Sequence, residues 1–268
     1  MIASGRTGTI LIAAVAAAAT LLVPAAQTVS GEGQIVIRGA DSGSHLRLTL
    51  NGNNLVIDGY MTPEEPVGCR FTKPRTDAVC PLAGVGSILI EMGPEGDKVE
   101  VLDLMPVPVT AYLGQGSDKF IGNREPDTCY PQGARRNRCY GGGGDDICIT
   151  GPRNSDCVGD GGDDYCKHST GSDGCWGDFF PKAEDPKQGR AGNDICIMGP
   201  GKDGCHGGPG DDVLYEGGDG GKLYGQRGDD RLFEGRGKGK LFGGAGRDFC
   251  DGGPGVGKSH KCEAGPRH

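Results

Sequence analysis

The chain has 268 residues, 53 of them glycine, with 35% hydrophobic and 6% aromatic side chains and a formal net charge of −8. So few apolar residues cannot build a conventional interior, so the chain is either disordered or held together by something other than a large oily core. The acidic balance excludes nucleic acid and anionic membrane surfaces as expected partners and points to cations.

Residues 1–27 carry one early charge, Arg6, then an apolar run over 10–23 that ends in small residues. The pattern is that of a secretory signal peptide over 1–26, cut near Ala25 or Ala26, and the run is short for a membrane anchor. A secreted, extracellular product with no membrane span after cleavage is the expectation. Twelve cysteines without a CxxC pair agree with it, reading as disulfides rather than a zinc cage or redox site.

Residues 27–112 read as a β-rich N-terminal cap. LRLTLNGNNLVIDGY alternates apolar and polar residues around an NGNN turn, which predicts a hairpin. GCRFTKPRTDAVC predicts a disulfide-closed loop, SILIEM a strand, and MGPEGDKVE a worn nine-residue phrase with Asp97 sixth and Val99 eighth. The cap is expected to run on into the repeats that begin at residue 113 and not to form a separate catalytic domain.

From 113 to 251 the chain counts in nines. GGPGDDVLY (207–215) sets the frame, followed by EGGDGGKLY, GQRGDDRLF, EGRGKGKLF and GGAGRDFCD, and preceded by GRAGNDICI and MGPGKDGCH. Upstream of an insertion at 177–188 stand GGGGDDICI, TGPRNSDCV, GDGGDDYCK and HSTGSDGCW; LGQGSDKFI, GNREPDTCY and QGARRNRCY come earlier, with Pro131 as a one-residue slip. Six residues suit a turn rich in positive φ and inward carbonyls, and three suit a short strand whose eighth residue faces one side. Every eighth residue is apolar or sulfur, from Phe120 and Cys129 to Leu241 and Cys250, and this row is the predicted core. Residues 252–268 read as a degenerate C-terminal cap.

These phrases resemble the GGxGxDxUx nonapeptide of RTX, or haemolysin-type, calcium-binding repeats. The resemblance implies an all-β fold, a parallel β-roll (an RTX nonapeptide solenoid) with each phrase a half-coil, and Ca2+ between turns stacked on an edge. The metal ligands it assigns are Asp118, Asp127, Asp146, Asp164, Asp194, Asp212, Asp230 and Asp248. Asp194, Asp212, Asp230 and Asp248 recur every eighteen residues and fall on one edge, whereas the other carries Asp203 and then Gly221 and Gly239. In the earlier half Asp127, Asp146 and Asp164 form one ladder, while Asn137 and Ser155 interrupt the other between Asp118 and Asp173. One edge is therefore expected to bind metal and the other to have largely given it up. Whether Asp164 and Asp194 share an edge depends on how the insertion counts.

Carboxylates and carbonyls are hard donors that suit calcium's flexible six- to eight-fold cages, and stacked acids without a cation would oppose folding. Asp and Gly are also common turn residues with no metal at all. Neighbouring cysteines suggest the pairs 69–80, 129–139, 148–157, 166–175, 196–205 and 250–262, with pairing along one sheet, such as Cys148 with Cys166, as the rival. Facing sheets pack ~10 Å apart, so cross-core bridges require a thin roll.

Other motifs lead elsewhere. GGPGVGKS (252–259) matches a phosphate loop but lies in phase as a worn repeat with almost no chain left for a helix, so no nucleotide is expected. HExxH and GxSxG are absent, and five scattered histidines, with His168 and His206 expected at exposed turn or strand ends, nominate no catalytic set. The expectation is a non-enzymatic, calcium-binding structural or adhesive module with a cell-surface or matrix partner. The alternatives are a secreted hydrolase with its site in the N-terminal region, or a surface binder using the aromatic loop at 176–180.

Overall fold

The computed structural model describes residues 33–61, 68–73, 76–102, 105–133, 135–178, 190–255 and 257–263; the signal segment, Phe179, Phe180 and most of the insertion lie outside them. Each nonapeptide forms a turn and then a three-residue strand, as in Ile147–Ile149, Tyr165–Lys167 and Ile195–Ile197. At the fourth position of the turn, Gly144, Gly162, Gly210, Gly228 and Gly246 all have φ between +92° and +148°, which a side chain would resist.

Successive strands alternate between two sheets, and every neighbour along the repeats pairs in parallel. The result is an all-β parallel solenoid of about nine turns. The first sheet holds ten strands, from Gly33–Arg38 to Phe249–Asp251. The second holds thirteen, ending at Lys258–His260, and includes the predicted hairpin His45–Asn51 and Asn54–Asp58 in antiparallel register. The disulfide-closed loop is there too: Arg70–Lys73 pairs with Asp77–Pro81, and Cys69 bonds to Cys80.

The insertion counts for no half-coil. Cys166 pairs in register with Cys196, and Trp176 with His206, across a gap of thirty residues. The extra chain leaves and re-enters at one turn, so the eighteen-residue phase survives it. The roll also starts earlier than its phrases suggest. Gly33–Arg38 pairs in parallel with Val85–Glu91, and His45–Asn51 with Lys98–Val101, so a first coil precedes the hairpin and loop inserted after it.

The core is one row of side chains between the sheets, in three zones. Leu, Ile and Val fill the first coils (Ile37, Leu48, Ile90, Val101 and neighbours), cysteines fill the middle, and Leu214, Leu223, Leu232 and Leu241 fill the last. Bridged Cα atoms lie 5.8–6.6 Å apart in the four cross-core disulfides, so the roll is thin where cysteine replaces leucine. Cys129–Cys139 and Cys250–Cys262 form as expected, but the others are Cys157–Cys166 and Cys175–Cys196, leaving Cys148 and Cys205 as buried thiols. The cysteines zigzag across the core, so each interior one faces a partner half a coil below and another half a coil above. Equal spacing in both directions is why sequence cannot choose the frame.

Burial raises both thiols far above the usual range, and a neutral thiol is a poor nucleophile. Alkylation of the folded protein should therefore leave Cys148 and Cys205 unmodified, and denaturation without reductant should expose both, read by mass spectrometry of the labelled peptides. Rapid labelling of either in the native state would contradict this core.

Candidate metal centre

The sixth residue of each phrase ends a turn with its side chain pointing into the roll's edge. On the edge where the chain passes from the second sheet to the first stand Asp127, Asp146, Asp164, Asp194, Asp212, Asp230 and Asp248, all buried. Their Oδ1 atoms form a ladder: each accepts the backbone N–H of the aspartate one coil earlier, at 2.7–3.1 Å, from Asp127 N–H on Asp146 to Asp230 N–H on Asp248. Val109 N–H caps the start at Asp127, and Glu263 accepts the last donor, Asp248 N–H, at 2.7 Å.

The second oxygens are different. Oδ2 of Asp146, Asp164, Asp194, Asp212, Asp230 and Asp248 is buried and accepts no hydrogen bond. Each lies against a glycine that opens the turn, where a Cβ on Gly141, Gly159, Gly207, Gly225 or Gly243, each first in its own phrase, would overlap the carboxylate; for Asp194 that place is held by Gly177, on the far side of the insertion. Backbone carbonyls border the same space: a Cβ on Gly225 would lie 2.7 Å from the Gly243 oxygen of the next coil. Buried carboxylate oxygens without donors, beside inward carbonyls, form a cradle of hard donors, which fits a calcium-like cation.

Electrostatics point the same way. Burial, joined by the charge of ladder neighbours, pushes Asp146 up to about 10, Asp164 to about 9 and Asp212 to about 8, and burial with the charges of Asp178 and Asp163 pushes Asp194 to about 8. Burial lifts Asp127 to about 7 and Asp230 to about 6. Near Asp164 and Asp194, Asp178, directly after Gly177 where the chain enters the insertion, adds another buried carboxylate whose charge raises both. One Asp178 oxygen accepts Gly192 N–H at 3.0 Å, the other has no donor, and burial raises the group to about 7.

Two amides show what the empty valence asks for. At Asp127 the Oδ2 is satisfied, by the N–H of Asn123 at 3.0 Å and its Nδ2 at 3.4 Å. On the other edge Asn137 Oδ1 accepts Asp118 N–H as an aspartate would, while its Nδ2 donates to Gly133 O at 3.2 Å.

That other edge is mixed. Asp118 is placed here, apart from the other seven expected ligands, in a short ladder in which Ser44 N–H meets Asp97 and Asp97 N–H meets Asp118. Asp173 N–H meets Asp203 further along, and Oδ2 of Asp97, Asp118, Asp173 and Asp203 is again without a donor. Where the sixth residue becomes Gly221 or Gly239, the acid has not vanished. Glu216 and Glu234, at the first positions of those phrases, are buried, and each places Oε1 on the N–H of its own sixth residue. The acid moves from sixth to first as glycine moves from first to sixth, and the sequence reading that this edge had given up its carboxylates is corrected to that extent.

Sequence reasoning also missed a second ladder at the fifth position. There Asp163 N–H meets Asp145, Asn193 N–H meets Asp163, Asp211 N–H meets Asn193, Asp229 N–H meets Asp211 and Arg247 N–H meets Asp229, at 2.7–3.0 Å. It runs opposite to the sixth-position ladder, so adjacent coils are stitched in both directions. A run of Asp or Asn spaced eighteen residues apart, or thirty across the insertion, was its signal.

Histidines and aromatics take structural places. His168 is buried rather than exposed, because the first position of this edge faces inward; its Nδ1 meets Thr150 Oγ1 at 3.0 Å, and burial lowers it to about 4. Trp176 belongs to the strand Gly174–Trp176 and opens a column of rings, His206, Tyr224, Phe242 and His260, stacked at 4.5–6.1 Å. Arg135, Arg136 and Arg138 are exposed, and Arg136 pairs with Asp156 at 2.7 Å.

Comparison with protein-family models, with curated proteins and with solved structures returned no match. Among the described residues no helix is long and apolar enough to cross a membrane.

The raised acids fix the sign of a pH effect in chelator. A carboxyl whose folded value lies above its ordinary 3.8 stabilises the fold fully below that value and loses the contribution as pH climbs through the raised one, here about 6 to about 10. Thermal melts followed by circular dichroism in chelator should give a Tm that falls from about pH 5 to about pH 8. A flat or rising Tm would show that these oxygens are not desolvated as described.

Proposed function

We propose that this protein is an extracellular calcium-binding β-roll of the RTX type, a structural module without catalytic activity whose folding is coupled to the ion. The reading is carried by the six successive aspartates, Asp146 to Asp248, that share one edge and each hold a buried, donor-free Oδ2, with the carbonyls of Gly207, Gly243 and Lys261 bordering the space at Asp194, Asp230 and Asp248. Asp127, Asp194, Asp212 and Asp230 belong to the same ladder. The nonapeptide phrases and the parallel solenoid support the family resemblance, and five disulfides suit an oxidising, extracellular setting.

Calcium would supply the positive charge that these oxygens lack, and the chain supplies the rest. Oδ1 locks the aspartate rotamer onto the preceding coil, the first-position glycine leaves room for Oδ2, and Asp178 adds charge beside Asp164 and Asp194. Because the ligands come from successive coils, ion binding and coil stacking are one event.

Replacing Asp194 and Asp212 together by asparagine separates the two oxygens' roles. Asn keeps the Oδ1 acceptor, as Asn137 does, and removes the uncompensated charge. In chelator the D194N/D212N variant should be as stable as the parent or more so. In calcium it should lose about 1–3 kcal/mol of ion-dependent stabilisation per ligand, read as a smaller calcium-induced rise in Tm. An undiminished calcium response would remove this edge as the binding site.

A further inference from the structure

We infer that Glu216 and Glu234 hold divalent cations on the mixed edge, as first-position ligands standing in for the missing sixth-position aspartates. This rests on the calcium reading of the aspartate edge and extends it to residues outside the nonapeptide's metal position.

The geometry is that of an exchange. In the phrase GGPGDDVLY the acid is Asp212, and a Cβ on Gly207 would overlap its Oδ2; in EGRGKGKLF the acid is Glu234, and a Cβ on Gly239 would lie 2.8 Å from its Oε1. The longer side chain crosses the turn from the other side and sets its carboxylate in the space the sixth side chain has left. Glu216 Oε1 accepts Gly220 N–H at 3.1 Å and Gly221 N–H at 3.0 Å, and Glu234 Oε1 accepts Gly239 N–H. These bonds fix the headgroups and leave one oxygen of each free.

Those free oxygens are the second observation. Oε2 of Glu216 and of Glu234 is buried and accepts no hydrogen bond, in side chains that are only 5% and 6% exposed. Asp203 Oδ2, one coil before Glu216, is in the same condition. The Gly221 carbonyl borders the same space, 2.8 Å from where a Cβ on Gly239 would stand. Lys222 and Lys240, at the seventh positions beside these glycines, are exposed. Carboxylate oxygens from consecutive coils, joined by carbonyls and without a cationic partner among the described residues, form a hard-donor site for calcium.

A capping role alone is the competing account: the glutamates would satisfy turn N–H groups and nothing else. Glutamine caps equally well, its Oε1 accepting and its Nε2 free to donate, so E216Q/E234Q separates the accounts. Bound calcium per chain is measured by equilibrium dialysis on the full-length oxidised protein, beside D194N/D212N and the parent. The expected result is that E216Q/E234Q binds fewer ions than the parent while its remaining ions still respond to D194N/D212N. An unchanged ion count in E216Q/E234Q overturns the proposal and leaves the aspartate edge untouched; a parent that binds no calcium overturns the underlying reading instead. A second variant covers a failure of E216Q/E234Q to fold. The swap E216G/G221D/E234G/G239D returns the acid to the sixth position, and a folded swap with the parent's ion count supports the site. A folded swap that binds more ions than the parent overturns it, because the parent glutamates would then have held none.

Discussion

The structure depends on the two oxygens of one carboxylate having different fates. A parallel solenoid brings equivalent side chains ~4.8 Å apart, coil upon coil. Aspartate at the sixth position uses one oxygen to accept the previous coil's N–H, which a buried backbone donor requires. The other oxygen is then carried into the interior with no donor. Unit charges at that spacing repel by about 3–4 kcal/mol at an effective dielectric near 20. Summed over neighbours from Asp146 to Asp248, that is on the order of the 5–15 kcal/mol that keeps a whole domain folded. A fully ionised ladder without counter-charge is therefore not a stable state: it holds protons, as the raised pKa values say, or it holds cations.

This constraint also explains the distribution of glycine. On the aspartate edge and at the two glutamates the carboxylate takes the space of a missing Cβ across the turn, so acid and glycine occur there as a reciprocal pair, Gly207 with Asp212 and Glu234 with Gly239, whereas the phrases of Asp118, Asp173 and Asp203 begin with Leu113, His168 and Met198. Two acids in one turn would collide, and two glycines would leave a turn N–H unmet and a void. The puzzle of a repeat that drops its sixth acid on alternate phrases is resolved by that exclusion, since the acid is still present at the first position.

Much of this was legible in the sequence because the repeat has fixed length. The frame of nine located the inward eighth residues and the turns, and the family resemblance supplied the parallel sheets and, with each phrase a half-coil, the stacking of Asp194, Asp212, Asp230 and Asp248. What sequence could not give were quantities that depend on three-dimensional reach. Glu216 and Glu234 read as deviations because their headgroups cross the turn, and Glu263 as tail residue because it lies fifteen residues from Asp248 and not eighteen. The first coil, with Ser44 on Asp97, was hidden by chain inserted between partners 53 residues apart. The insertion's neutrality toward phase required the pairing of Tyr165 with Ile195. Disulfide frame was undetermined for a related reason, since each interior cysteine of the run from Cys129 to Cys205 meets one partner half a coil below and another half a coil above.

The placement of the fastenings along the roll follows from how much core each coil has. The first coils bury Leu, Ile and Val from both sheets and hold by ordinary packing. The last coils have a single leucine per half-coil and acids on both edges, Asp212 and Asp230 on one and Glu216 and Glu234 on the other. Between them the mixed edge runs through Asn137 and Ser155, which bring no carboxylate, and here the core turns to cysteine, with Cys129–Cys139 and Cys157–Cys166 tying the sheets directly. A covalent tie acts on the unfolded chain by shortening its reach, whereas a charge-bearing edge acts only on the stacked state. In the coils through Asn137 and Ser155 a bond that needs no ion thus stands where one edge lacks acids, and on the proposed reading this lets the roll keep its register there while calcium varies; Cys175–Cys196 adds such a bond where Asp173 and Asp203 keep acids on the mixed edge as well.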